Sequence, residues 1–219
     1  MTIDWEEGAA RARERFEDGA ARLPEDADER QRQLTRMGNA AWAAGLSYLM
    51  LGRRDDANEW LVRAAETYRR SWLDAPAGSW GRPIGAMKSR LIVGDLVGAE
   101  EDARWTLGAG AAESESPIGR YAAALAQLIL GVDDAAARLA ATLTGAEAIP
   151  PAVIDSIIAL AIRDAQAYEA AIAALVADFE ARVEFLEDIA VADTVLALQA
   201  LAAVREMHVP LASALLPDR

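Results

Sequence analysis

The sequence predicts an all-α protein, an array of antiparallel helical hairpins with about ten helices in 219 residues. Three observations carry this. Ala, Leu, Glu and Arg dominate, while Gly and Pro number only 15 and 8, so strong helix formers fill the chain and breakers fall in connectors. No stretch alternates apolar and polar residues as a half-buried strand does. Three segments, LMLGRRDDANEW, LIVGDLVGAEED and LILGVDDAAARL, share a pattern of three aliphatic residues, then Gly, with Ala five residues on.

That pattern reads as a helix stopped by a glycine, a short polar turn and a second helix. Gly52, Gly94 and Gly131 take the left-handed conformation at low cost. Asp55 and Asp56, Asp95, and Asp133 and Asp134 favour the N-terminus of each second helix. Ala57, Ala99 and Ala136 leave room for the two helices to approach. In chain order the helices are expected near residues 4–22, 26–51, 55–74, 83–93, 96–109, 117–130, 133–144, 151–162, 165–186 and 190–206. Pro83 and Pro117 fall in first turns, where proline is tolerated. ALAQLIL and DSIIALAI are apolar nearly all round and predict helices buried between neighbours. Residues 75–83 and 108–117 are the clearest loops, and neither has the character of a domain linker. Val209, Leu211, Leu215 and Leu216 make the tail too apolar to be free, although Pro210 and Pro217 oppose helix there. The tail is expected to pack irregularly on the last helices or on a second copy.

Gly45 lies inside a predicted helix, where the missing side chain lets a neighbouring helix sit close. Gly45, Tyr48, Gly52, Ala57 and Ala64 stand at successive intervals of three, four, five and seven residues. In this the chain resembles the tetratricopeptide repeat (TPR) family, with degenerate copies around Gly94 and Gly131. The resemblance covers about residues 38–145 and implies a TPR-like α-solenoid wound as a right-handed superhelix. Residues 1–37 then lead in, 146–207 add further hairpins, and 208–219 cap a single domain.

Composition excludes several function classes. Cysteine is absent, which removes disulfides, thiolate metal sites and a cysteine nucleophile. No long uncharged apolar stretch predicts a membrane span, and the charged N-terminus lacks the apolar run of a signal peptide, so a cytoplasmic protein is expected. The net charge of −13 opposes nucleic-acid binding. One histidine, His208, finds no nucleophile or metal partner at any recognisable spacing, and no metal or other cofactor is expected. Glu184, Glu187 and Asp188 share a face if their segment is helical, and a solvated acidic surface is the plainer reading of them. Residues 1–110 carry 16 basic and 19 acidic groups, net −3, and residues 111–219 carry 6 and 16, net −10; all six Trp lie in the first half.

One constellation stands out. Between Tyr68 and Arg90, five bases (Arg69, Arg70, Arg82, Lys88 and Arg90) face a single acid, Asp74, with Trp72 and Trp80 among them. Arg forks match carboxylate or phosphate, and indoles offer flat apolar walls. These seven residues are the candidate binding site. The resemblance places Lys88 and Arg90 on an inner-type helix, where TPR proteins clamp peptides. The leading expectation is a protein- or peptide-binding module, its partners including acidic ones, acting as monomer or homodimer without catalytic chemistry. The alternative is a helical domain, enzymatic or not, that binds a small anionic ligand through the Trp/Arg patch. A third reading has the acidic C-terminal half mimic a charged surface.

Overall fold

A computed structural model describes residues 4–218. Among them the chain forms ten α-helices and no strand: α1 (Trp5–Ala21), α2 (Ala27–Met50), α3 (Arg54–Trp72), α4 (Gly81–Ile92), α5 (Leu96–Gly108), α6 (Pro117–Ile129), α7 (Asp133–Ala141), α8 (Pro151–Ile162), α9 (Ala165–Glu180) and α10 (Asp193–Val204). None is long and apolar enough to cross a membrane. Each helix from α1 to α9 packs on its neighbour in sequence, and α4 also touches α6, as α6 touches α8. α10 leaves this order and packs back against α4, α8 and α9.

Local chemistry sets the helix ends. The carboxylates of Asp4, Asp26, Asp95 and Asp164 accept hydrogen bonds from the N–H groups of Glu7, Glu29, Gly98 and Ala167, at 2.9–3.0 Å. Each satisfies a donor that a helix N-terminus otherwise leaves open. Gly52, Gly94 and Gly131 have φ of +72°, +75° and +71°. In the first turn Arg53 N–H donates to Tyr48 O and Gly52 N–H to Leu49 O, and the other two repeat this pair of bonds. The three hairpin stops therefore share one geometry. Arg163 holds the same left-handed position between α8 and α9, φ +57°, without being glycine. Asp55, Asp56, Asp133 and Asp134 sit in first turns without capping them through a side chain.

Gly45 marks close packing. A Cβ there would lie 2.6 Å from Leu61 Cγ and 3.0 Å from Leu61 N, so α3 crosses α2 at a distance only glycine permits. Two large core clusters result. One gathers Ala9, Ala12, Trp42, Leu46, Trp60, Leu61 and Tyr68 around α1–α3. The other gathers Leu91, Leu125, Leu128, Ile157, Leu160, Tyr168, Leu175, Leu198 and Leu201 around α4–α10. Val209, Leu211, Leu215 and Leu216 pack on the second cluster. The tail is held there by Ala192 N–H donating to Leu215 O at 2.9 Å and by Gln199, whose amide bonds both Val209 O and Val209 N–H.

The main departure from the expected helices lies between α9 and α10. The helix expected over 165–186 ends at Glu180, and the one expected from 190 starts at Asp193. Residues 181–192 are irregular apart from a short 3-10 turn over 186–188, with Glu187 and Asp188 both left-handed. Glu184, Glu187 and Asp188 thus share no helical face. The cause is tertiary. Ile189 and Val191, two residues apart, are both buried in the α1–α3 cluster. Extended chain places residues i and i+2 on one side, and a helix does not.

Candidate functional site

The structure divides the seven candidate residues. Arg69 and Arg90 converge on Asp102, which no sequence pattern singled out and which is 0% exposed. Arg69 Nη1 donates to Asp102 Oδ1 at 2.9 Å, and Arg90 Nε lies 3.6 Å from Oδ2 while its Nη1 reaches Asp95 at 2.7 Å. Burial pushes the Asp102 carboxyl above its ordinary pKa, and the two guanidinium groups work against that shift. These bases serve the α3–α4–α5 packing. Arg70 is exposed and, among the described residues, forms no ion pair. Asp74 is bound by Arg30 at 2.8 Å. Trp72 lies half-buried between Trp80 and Trp105, with ring centroids 5.2 and 5.8 Å away, so it is a packing group.

Trp80, Arg82 and Lys88 do come together. They line a cleft of about 360 Å³ with Thr35, Asn39 and Trp42 from α2, Tyr68 from α3, Ser79 from the loop, Ile84 and Gly85 from α4, and Leu186 and Asp193 from beyond α9. Tyr68 fixes the floor. Its ring is flanked by Gly38 and Gly85, where a Cβ would meet ring carbons at 2.7 and 2.8 Å, and its hydroxyl donates to Asn39 Oδ1 at 2.9 Å. Burial pushes the Tyr68 pKa far above its ordinary value, and the charges of Asp193 and Glu187 add to the shift.

The two cations of the cleft differ. Lys88 Nζ lies 2.5 Å from Asp193 Oδ2 and donates to Thr194 Oγ1 at 2.9 Å, so its charge is matched. Arg82 has only neutral partners: Nε donates to Thr35 Oγ1 at 3.2 Å and Ser71 Oγ at 3.0 Å, and Nη2 to Gln31 Oε1. Among the described residues no carboxylate pairs with it. Burial lowers its pKa below the ordinary value, the signature of a desolvated cation without a counter-charge. Arg82 and Lys88 against Asp193 leave the cleft at net +1 in a chain of −13. It is a small electropositive site with aromatic walls, suited to hold a negatively charged group.

Sequence reasoning missed Thr35, Asn39, Trp42, Tyr68, Leu186 and Asp193. Gly38 and Gly85 were the available signal, two glycines inside helices that admit one aromatic ring. Nothing local points to Asp193, which lies 105 residues from Lys88. His208 stands elsewhere, in a cleft of about 160 Å³ beneath the tail with Gln199, Leu211 and Leu216. Among the described residues no three His, Asp or Glu side chains are grouped to hold a metal ion. The chain matches no protein-family model, no curated protein and no solved structure.

Proposed function

We propose that the protein is a binding module of TPR-like helical hairpins, wound as a right-handed superhelix, that holds a small anionic ligand at Arg82. The single observation that carries this is a guanidinium in an aromatic cleft with only neutral partners, while Arg69, Lys88 and Arg90 of the same stretch are matched by carboxylates. An Arg fork left in this state gains most from a ligand carboxylate or phosphate. The TPR-like reading is supported by the three shared turns, the Gly45 contact and the touching of α4, α6 and α8, the first helices of successive hairpins. On that reading the cleft opens on the inner face.

Size favours a small ligand over a long peptide. α10 already lies on α4 and α8, so the inner face offers no extended groove. The volume of about 360 Å³ falls at the lower end of the range for small-molecule sites, about 300–1,000 Å³. Trp42, Tyr68, Trp80 and Ile84 would cover an apolar body whose anionic end meets Arg82. Binding rather than catalysis is the reading, since among the described residues no nucleophile, base and orienting group are hydrogen-bonded together there.

The test is a titration with phenylacetate, its neutral amide and inorganic phosphate, read by tryptophan fluorescence, since Trp42 and Trp80 line the cleft. Phenylacetate should bind saturably, the amide should not, and Arg82→Gln should weaken binding about tenfold or more. Equal binding of acid and amide, or no effect of Arg82→Gln, would overturn the assignment. A protein partner is the second reading, favoured by Leu73, which is 81% exposed beside Arg70. Acidic-peptide binding that survives Arg82→Gln and is lost in Leu73→Ser would replace the cleft by that surface.

A further inference from the structure

The segment between α9 and α10 closes one side of the cleft, and its character changes along its length. Residues 181–184 are exposed, with Val183 at 95%, and Leu186 at 55% overhangs the cleft. Glu187 and Asp188 follow, two consecutive left-handed residues without a glycine. L-residues populate that region sparsely, and only surrounding contacts hold them there. From Ile189 the chain is anchored: Ile189 and Val191 enter the α1–α3 core, and Asp193 meets Lys88. Glu187 pairs with Arg15 of α1. Carboxylates thus flank two inserted aliphatic side chains, as in a docked acidic peptide.

We infer that residues 181–193 are a strap seated on the inner face as an internal ligand, and that Asp193 competes with an external anion for Lys88. The inference rests on the reading of the cleft as an anion site. In the strapped form Lys88 is taken by Asp193 and Thr194, and only Arg82 is left to receive a ligand. When Asp193 withdraws, both cations face the cleft, and its charge rises from +1 to +2. The geometry allows this exchange at one place, because Lys88 and Asp193 both line the cleft wall. Besides Lys88, Asp193 meets Thr194, which donates to its Oδ1 at 3.2 Å, and the buried phenols of Tyr68 and Tyr121 feel its charge, Tyr68 together with that of Glu187. An anionic ligand is therefore the replacement that keeps Lys88 paired. Strap docking and ligand binding oppose each other, and the protein as described is in its self-inhibited form.

The test uses the full chain and two readouts, amide hydrogen exchange along the whole chain and phenylacetate affinity by fluorescence. Asp193→Asn should speed exchange in 186–193 by about tenfold or more, leave α2–α5 protected, and tighten phenylacetate binding about threefold or more. Glu187→Gln loosens the far end of the strap without touching the cleft cations. It should move both readouts the same way by less, which keeps the proposal testable if Asp193→Asn unfolds. Unchanged exchange in both variants would overturn the strap. A looser strap with unchanged or weaker phenylacetate binding would overturn the competition and make Asp193 part of the binding wall. If phenylacetate binds the wild type and no variant alters its affinity, the coupling fails while the cleft reading stands. If it binds no form of the protein, the cleft reading fails and takes the coupling with it.

Discussion

The regions around α8–α10 and α2–α4 both pack consecutive helices in adjacent pairs and fill the space beside them differently. Around α8–α10, aliphatic side chains close the space: Ile157 and Leu160 of α8 and Val195, Leu198 and Leu201 of α10 belong to one buried cluster. Around α2–α4 the corresponding space is walled by Trp42, Tyr68 and Trp80 and left partly open, with Arg82 and Lys88 on its edge. α10 reaches the first end by packing on α4, with Asp193 and Thr194 of its first turn meeting Lys88, and the irregular residues before it cover the rest. The comparison teaches that sequential helix packing leaves faces to be covered, and the side chains and the returning chain decide whether such a face becomes core or stays an open cleft. Arg205 secures the return, donating to Leu128 O at 2.7 Å and Asp133 Oδ1 at 2.6 Å.

The largest expected effect is alkaline. Burial raises the phenol pKa of Tyr68 at the cleft and of Tyr121 and Tyr168 in the aliphatic cluster. The folded protein keeps these protons while unfolded phenols lose theirs above about pH 10. The stabilisation is complete below that pH and is lost as pH rises toward the folded values. Each such phenol lowers stability by about 1.4 kcal/mol per pH unit once the unfolded group is ionised. Absorbance at the phenolate band, followed alongside urea midpoints, should show the three ionising only with unfolding. Early ionisation of Tyr68 alone would mean that the cleft is wetter than its geometry implies.

Core truncation separates the two ends next. Leu198→Ala in the filled end should cost about 2–5 kcal/mol in urea unfolding, whereas Leu186→Ala at the cleft mouth should stay within about 0.5 kcal/mol. Similar losses at both positions would erase the distinction between a filled core and an open cleft. Smaller effects belong to the turns. Gly52→Val should cost about 1–2 kcal/mol from backbone strain alone, since nothing lies within 4 Å of the position its Cβ would take. At the fourth turn Arg163→Gly should raise stability by about 0.5–1 kcal/mol, less whatever its exposed 3.6 Å contact with Asp133 contributes. A loss there would show that the contact outweighs the strain.

Much of the fold was legible because its causes are local. Aspartates and glycines mark helix ends whose hydrogen bonds span five residues or fewer. The bounds of α8 were read to the residue, and those of α1 and α2 to within one. Of the seven candidate residues, Trp80, Arg82 and Lys88 line the cleft and the others do not. The sequence marks a basic, aromatic stretch, and in the fold Asp102 engages Arg69 and Asp95 engages Arg90 away from the cleft. Asp102, 33 residues from Arg69, carries no sign in its own neighbourhood that two arginines will meet over it.

Sequence alone determined the all-α class, the hairpin stops and the close crossing at Gly45, because backbone conformation and side-chain size act over a few residues. Tertiary structure alone decided that α10 turns back onto α4 and α8 and that residues 181–192 abandon the helix. It also decided that Lys88 is matched while Arg82 is left with neutral partners. Those outcomes depend on which apolar surfaces lack cover once the hairpins have stacked, and on which charges the covering segment brings with it. Helical periodicity records that a face is apolar, and the folded chain determines which segment buries it.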